Sequence, residues 1–182
     1  MKIEQTGFEG LLVITPSVYA DERGYFFESY NKETHARAGL NFDWVQDNQS
    51  HSTYGVIRGL HFQNSPHAQT KLIRALQGSI LDVVVDLRKS SSTFGKSFSL
   101  ELSAENKLQL MVPKGFAHGF VILSSTADVM YKCDALYNKA SESGIIFNDP
   151  DLAIDWKIPA GEQVVSEKDR ILPRFNEMNF NF

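Results

Sequence analysis

The chain has 182 residues, 18 Lys and Arg against 22 Asp and Glu, and a net charge of −4. With no Lys/Arg run, that balance argues against a nucleic-acid-binding surface. The single cysteine, Cys133, excludes an intrachain disulfide and fits a reducing compartment. The opening residues lack an apolar h-region and no stretch approaches the length of a membrane span, so a soluble, cytoplasmic, single-domain protein is expected.

Leu11-Leu12-Val13-Ile14-Thr15-Pro16 reads as a short first strand stopped by proline. After a polar turn at Asp21-Glu22-Arg23-Gly24, the aromatic run Tyr25 to Tyr30 reads as a strand with Phe26, Glu28 and Tyr30 on one face. Asn31 is a suitable N-cap for a short helix through Ala38, and Gly39 a C-terminal stop. Gln46-Asp47-Asn48-Gln49-Ser50 is a polar run leading to the unusual stretch Gly55 to Gln63. Strands are expected over Lys71 to Leu76, Ile80 to Leu87, Ser97 to Ser103, Leu108 to Val112, Phe116 to Leu123 and Ala127 to Cys133. In the second of these, Leu81, Val83, Val85 and Leu87 share one face, with Asp82 and Asp86 opposite. Many short strands joined by turns point to an all-β sandwich or barrel. Asn148-Asp149-Pro150 and Ile158-Pro159-Ala160-Gly161 are turn signals, and Ser166-Glu167-Lys168-Asp169 opens a short helix. The aromatic tail from Arg174 to Phe182 should dock on its own domain or on a partner subunit. The all-β core is expected over roughly residues 40–140, with 141–182 packed on it.

The stretch Gly55-Val56-Ile57-Arg58-Gly59-Leu60-His61-Phe62-Gln63 has the apolar residues of a buried strand, yet holds an arginine and a histidine between glycines. Charged and polar groups are costly to bury without partners. Strand alternation would send Arg58 and His61 to opposite faces. A bulge near Gly59 would bring both to one face. The structural alternative is a satisfied core histidine with Arg58 paired at the surface.

Lys71, His118 and Tyr131 are further polar groups on apolar strands, and each also admits a purely structural reading. Asp169 could be no more than a first-turn helix carboxylate. His61, His67 and His118 with Glu28 would make an iron or zinc set. Barrel metal sites, however, usually draw two close histidines from one strand as His-x-His, and the sequence has none. Gly-x-Ser-x-Gly, Gly-x-Gly-x-x-Gly and Walker-type loops are absent. The remaining inventory of His, Tyr, Lys and Asp with arginines suits proton transfer beside a carbonyl on an anionic substrate.

Taken together, the blocks Asp21 to Glu28, Gln46-Asp47-Asn48, Gly55 to Gln63, Ala68-Gln69-Thr70-Lys71, Asp82 to Arg88, Gly115 to Phe120, Asn148-Asp149-Pro150 and Ser166 to Asp169 resemble the dTDP-4-dehydrorhamnose 3,5-epimerase family. That family is a metal-free branch of the cupin jelly rolls, and the similarity runs from about Gly7 to Pro173. The resemblance implies His61 as general base, Asp169 as the carboxylate that orients it, Tyr131 as general acid and Lys71 as stabiliser of the developing oxyanion. It implies contacts to the nucleotide sugar from Arg23, Glu28, Gln46, Asp47, Asn48, Arg58, His118, Glu142 and Lys168. Phe26 would line the base pocket and Tyr137 would stack on thymine. It also implies a homodimer and no cofactor. Phe62 stands where the family often has Tyr, and Ile57 where it often has Leu.

The chemistry fits these residue types independently. In a 4-keto sugar the carbonyl acidifies the protons on C3 and C5, and inversion needs a base on one side, an acid on the other and a cation at the oxygen. Histidine is a suitable base near neutral pH, and arginine forks match a diphosphate. Rival readings are an epimerase inverting only C3 or only C5 on a related nucleotide sugar, a metal-dependent cupin oxygenase, and a non-catalytic sugar-nucleotide binding module.

Overall fold

The computed structural model describes residues 1–182. In chain order the elements are β1 (Lys2–Gln5), β2 (Leu12–Thr15), β3 (Tyr19–Asp21), β4 (Gly24–Phe26), α1 (Lys32–Arg37), β5 (Gln46–Thr53), β6 (Val56–Gln63) and β7 (Lys71–Gln77). They continue with β8 (Ser79–Asp86), β9 (Ser97–Ser103), β10 (Gln109–Val112), β11 (Phe116–Ile122), β12 (Thr126–Cys133), β13 (Glu142–Gly144), β14 (Val164–Val165) and α2 (Glu167–Arg170). One sheet runs β1-β2-β10-β7-β12-β5; the other runs β13-β6-β11-β8-β9, with β14 added parallel to the first half of β6. β3 and β4 form a separate hairpin. Two antiparallel sheets packed face to face make the jelly-roll sandwich expected from the sequence.

Ile73, Ile80, Val84, Leu102, Leu110, Phe116, Phe120 and Val129 fill the space between the sheets. Strand β8 is buried on both faces. Ile80 and Val84 face that inter-sheet core together with Asp82 and Asp86, while Leu81, Val83 and Val85 face the other way. The outer face is covered by the C-terminal segment, whose Ile145, Phe147, Leu152, Trp156, Val165 and Phe180 complete a second core. Each such side chain contributes about 1.5–3 kcal/mol on burial. Asp149, at the predicted turn, accepts hydrogen bonds from the N–H groups of Asp151, Leu152 and Phe175. The aromatic tail docks on its own chain: Phe180 packs against Phe62, Phe94 and Phe175, and Asn181 exchanges two hydrogen bonds with the backbone of Ser65.

The bulge near Gly59 is present. His118 pairs with His61 and Phe120 with Arg58, so β11 advances two residues while β6 advances three. Gly59 has φ +134°, and a Cβ there would lie 2.5 Å from the Cα of Gly119. Only glycine fits that position. Arg58 and His61 consequently reach the same cavity.

Two expectations differ from the structure. The aromatic run after Gly24 stops being a strand at Phe26, because the hairpin has no third strand to extend. Tyr25 and Phe27 stack on one another instead, and Glu28 accepts from the Asn31 side chain beside the helix cap. The polar run at Gln46 is in fact the start of β5, an edge strand paired only with β12. Helix α1 forms as expected, with the Asn31 side chain accepting from the Thr34 N–H.

Candidate active site

A cleft of about 760 Å³ opens between the sheets. The first sheet contributes Gln46, Asn48, Lys71 and Tyr131; the second contributes Arg58, His61, Gln63 and His118. Tyr137, Glu142, Lys168 and Asp169 stand around its rim.

His61 Nε2 lies 2.8 Å from Asp169 Oδ1. Asp169 is the third residue of α2, a single turn capped by the Ser166 hydroxyl, which accepts the Asp169 N–H at 3.1 Å. Burial pushes the Asp169 carboxyl up, but its hydrogen bond to His61, the imidazole charge, the Gly59 N–H and the Ser166 hydroxyl outweigh this and hold it below the ordinary carboxylate range. An ionised carboxylate can only accept. In its neutral form His61 would therefore donate from Nε2 and carry its lone pair on Nδ1.

Lys71 and Tyr131 face this pair from the other sheet. The Lys71 ammonium sits 5.8 Å from the Tyr131 ring centroid. Burial pulls the Lys71 pKa down, and weaker attraction from Cys133, Asp82 and Glu142 opposes it. Burial also pushes the Tyr131 hydroxyl up, so it stays a phenol with a proton to give. Beside them His118 Nε2 meets the fully buried Asp82 at 2.9 Å. The His118 ring stands edge-on to Tyr131 with centroids 6.4 Å apart.

The rim is a chain of polar contacts. Lys168 donates to Glu142 at 2.9 Å, and the Tyr137 hydroxyl donates to the same Glu142 oxygen at 2.9 Å. That carboxylate raises the pKa of both partners. Burial pushes Glu142 itself up, but Lys168 and Tyr137 prevail and hold it below the usual range. Arg58, on the second sheet, donates to the Ser52 hydroxyl of β5, and Gln46 donates to the Asn48 side chain on the first sheet.

Five candidates lie elsewhere. Alternation along β5 sends Asp47 to the outer face, where Lys132 binds both carboxylate oxygens at 3.0 Å. Arg23 and Phe26 belong to the exposed β3–β4 hairpin, where Arg23 pairs with Asp21, and Glu28 follows it; none reaches the cleft of its own chain. His67 is exposed in the loop after β6, and no three His, Cys, Asp or Glu side chains gather as a metal-holding group. Sequence reasoning does not single out Gln63, Gln69 or Asp82, which the structure places at or beside the cleft. Two had a signal: Gln63 is polar at the buried end of an apolar strand, and Asp82 shares parity with Ile80 and Val84.

The family model described as dTDP-4-dehydrorhamnose 3,5-epimerase matches residues 5–177. The chain belongs to that family. An epimerase of this name from Shigella flexneri is 47% identical over 170 residues, 93% of each chain. The crystal structure of the family member from Elizabethkingia anophelis superposes with a TM-score of 0.93 at 55% identity, covering 99% of both chains. A dTDP-6-deoxy-D-glucose-3,5-epimerase from Legionella pneumophila, solved with dTDP-4-keto-L-rhamnose, gives a TM-score of 0.93 at 44% identity over 98% of this chain and 94% of that one. Epimerases of this family are isomerases on a cupin-type fold, and the His–Asp pair, lysine and tyrosine described above sit in the interior of that fold.

Proposed function

We propose that the chain epimerises dTDP-4-dehydro-6-deoxy-D-glucose at C3 and C5 to give dTDP-4-dehydro-L-rhamnose. The observation that carries this is a base, His61 with Asp169, on one wall of the cleft and an acid and a cation, Tyr131 and Lys71, on the other. His61 Nδ1 takes the proton from C3 or C5, and the C–H electron pair moves into the C4 carbonyl. Lys71 offsets the negative charge that develops on that oxygen. Asp169 stabilises the imidazolium. Tyr131 delivers a proton to the opposite face of the ring, inverting the centre; His61 then releases its proton to solvent and Tyr131 regains one from it. Arg58, Lys168 and Gln46 provide donors for the sugar and diphosphate, with Tyr137 as the stacking surface for thymine.

In this reading the enzyme is a single-domain, cytoplasmic homodimer. The β3–β4 hairpin supports the dimer: Tyr19, Tyr25 and Phe26 on it are 68%, 58% and 67% exposed. A second copy laying this hairpin over the cleft would bring Arg23, Phe26 and Glu28 to the ligand. Mixing Arg23→Ala and His61→Ala subunits, each inactive alone, should then restore activity in heterodimers, whereas an inactive mixture would mean that Arg23 serves the site of its own subunit.

The test of the reaction is proton NMR with the substrate in deuterium oxide. Deuterium should enter C3 and C5 and be lost in His61→Ala. Exchange at one carbon would assign a single-centre epimerase, and no exchange with dTDP still bound would leave a binding protein.

A further inference from the structure

The segment that carries Tyr137 to the mouth of the cleft belongs to no sheet, since β12 ends at Cys133 and β13 begins at Glu142. Its backbone groups therefore have no ladder partners, and buried groups of this kind need others. Three glutamine side chains supply them. Gln69 Nε2 donates to the carbonyl of Ala135 at 2.8 Å. Gln46 Oε1 accepts the N–H of Tyr137 at 2.8 Å. Gln63 holds both sides of the tyrosine: its Oε1 accepts the Asn138 N–H at 2.6 Å, and its Nε2 donates to the Leu136 carbonyl at 3.3 Å. Gln63 is only 5% exposed, and its Nε2 also reaches the His67 carbonyl at 2.6 Å. Leu136 and Tyr137 are 65% and 53% exposed. Side-chain packing thus contributes little, and amide hydrogen bonds to the backbone fix the segment.

We infer that Gln63, assisted by Gln46 and Gln69, is a positioning residue that presets the Tyr137 ring as a rigid platform for the nucleobase. This rests on the reading of Tyr137 as the stacking residue. Without the clamp the segment would sample other conformations, and apparent affinity falls by the fraction of time the binding form is populated. An amide is the group required, because one side chain must donate to a carbonyl and accept from an N–H at once. Glutamate at this position could not donate, and its charge would face two carbonyl oxygens. The reacting groups His61, Tyr131, Lys71 and Asp169 make no hydrogen bond to Gln63, so the chemical step is not in its reach.

Gln63→Met keeps the volume and removes the amide. Its dissociation constant for dTDP, measured by calorimetry, should rise about tenfold, as loss of two net hydrogen bonds implies. KM should rise in parallel while kcat stays within twofold. The decisive comparison is with Tyr137→Ala. If Gln63 acts through the ring, the double variant Gln63→Met/Tyr137→Ala should bind dTDP no more weakly than Tyr137→Ala alone. Additive losses, or unchanged dTDP binding in Gln63→Met, would overturn the clamp and leave the stacking role of Tyr137 intact. Unchanged binding in Tyr137→Ala would overturn both. Should Gln63→Met fail to fold, Gln69→Met removes one bond from the same segment and should weaken dTDP binding about threefold, with the same loss of effect in the Tyr137→Ala background.

Discussion

Replacing Lys71 by methionine should inactivate the enzyme and stabilise its fold. Lys71 opens β7 on the wall facing His61, and its ammonium has no ion-pair partner; burial depresses its pKa. A depressed lysine pKa means that the folded protein holds this proton less tightly than the unfolded chain. The charge therefore costs stability at neutral pH, and the cost vanishes as pH rises past the unfolded value of 10.5. Methionine fills nearly the same space without the charge. Relief of an unfavourable site of this kind is worth about 1 kcal/mol, or roughly 2–4 °C in Tm for a chain of this size. The same cation is what the enolate oxygen needs, and losing one preorganised donor lowers kcat by about 10²–10³. Both effects can be read on one preparation, by calorimetric melting at pH 7 and above pH 10 and by turnover at saturating substrate. A variant that turns over at near wild-type rate would refute the oxyanion role. A lower Tm, or a Tm gain that does not shrink at high pH, would refute the account of an uncompensated buried charge.

Asp169→Asn keeps the shape but lets the amide pair with either imidazole tautomer, so kcat should fall about 10³-fold or more with dTDP affinity within twofold; a loss below tenfold would remove Asp169 from the dyad. Burial pushes Asp86 up, but hydrogen bonds from Arg88, Thr93 and Ser91 draw it from 3.8 down to about 2. That carboxylate contributes about 2 kcal/mol above pH 4, lost as pH falls from about 4 towards 2. The stability difference between the native chain and Asp86→Asn in acid denaturant titrations should therefore shrink across this window. Phe180→Ala, which empties a site 4% exposed against Phe62, Phe94 and Phe175, should cost about 3 kcal/mol and lower Tm by roughly 6–12 °C. Its kcat at a temperature where the variant is folded should be near that of the native chain.

The central strands were legible because each carries a periodic apolar face. Ser97 to Ser103 alternates as read, and Ile80 to Leu87 is apolar enough to be placed at sight. The edge strand β5 was not legible, since Gln46, Asn48 and Ser50 face the cleft while Asp47, Gln49 and His51 face solvent, leaving no hydrophobic period. Lys2–Gln5 was missed for the same reason. The bulge was readable from a parity conflict between Arg58 and His61, flanking a glycine. What alternation alone could not reveal is which face of β8 meets which layer, because that depends on a segment more than sixty positions later in the chain folding back over it. Nor could local pattern place the hairpin residues, which stand away from the cleft of their own chain.

The order of synthesis gives the second core a consequence of its own. A nascent chain that has completed both large sheets still exposes Leu81, Val83, Val85 and Val121, because the segment that covers them is made last. Asp169 arrives on that same segment. His61 therefore gains its carboxylate partner only when the adhesive surface is sealed, and a prematurely terminated product should lack the His61–Asp169 contact and be prone to aggregate. Turnover in a cell extract is thus a direct count of chains that finished folding, and chaperone demand should fall on the interval before the C-terminus docks.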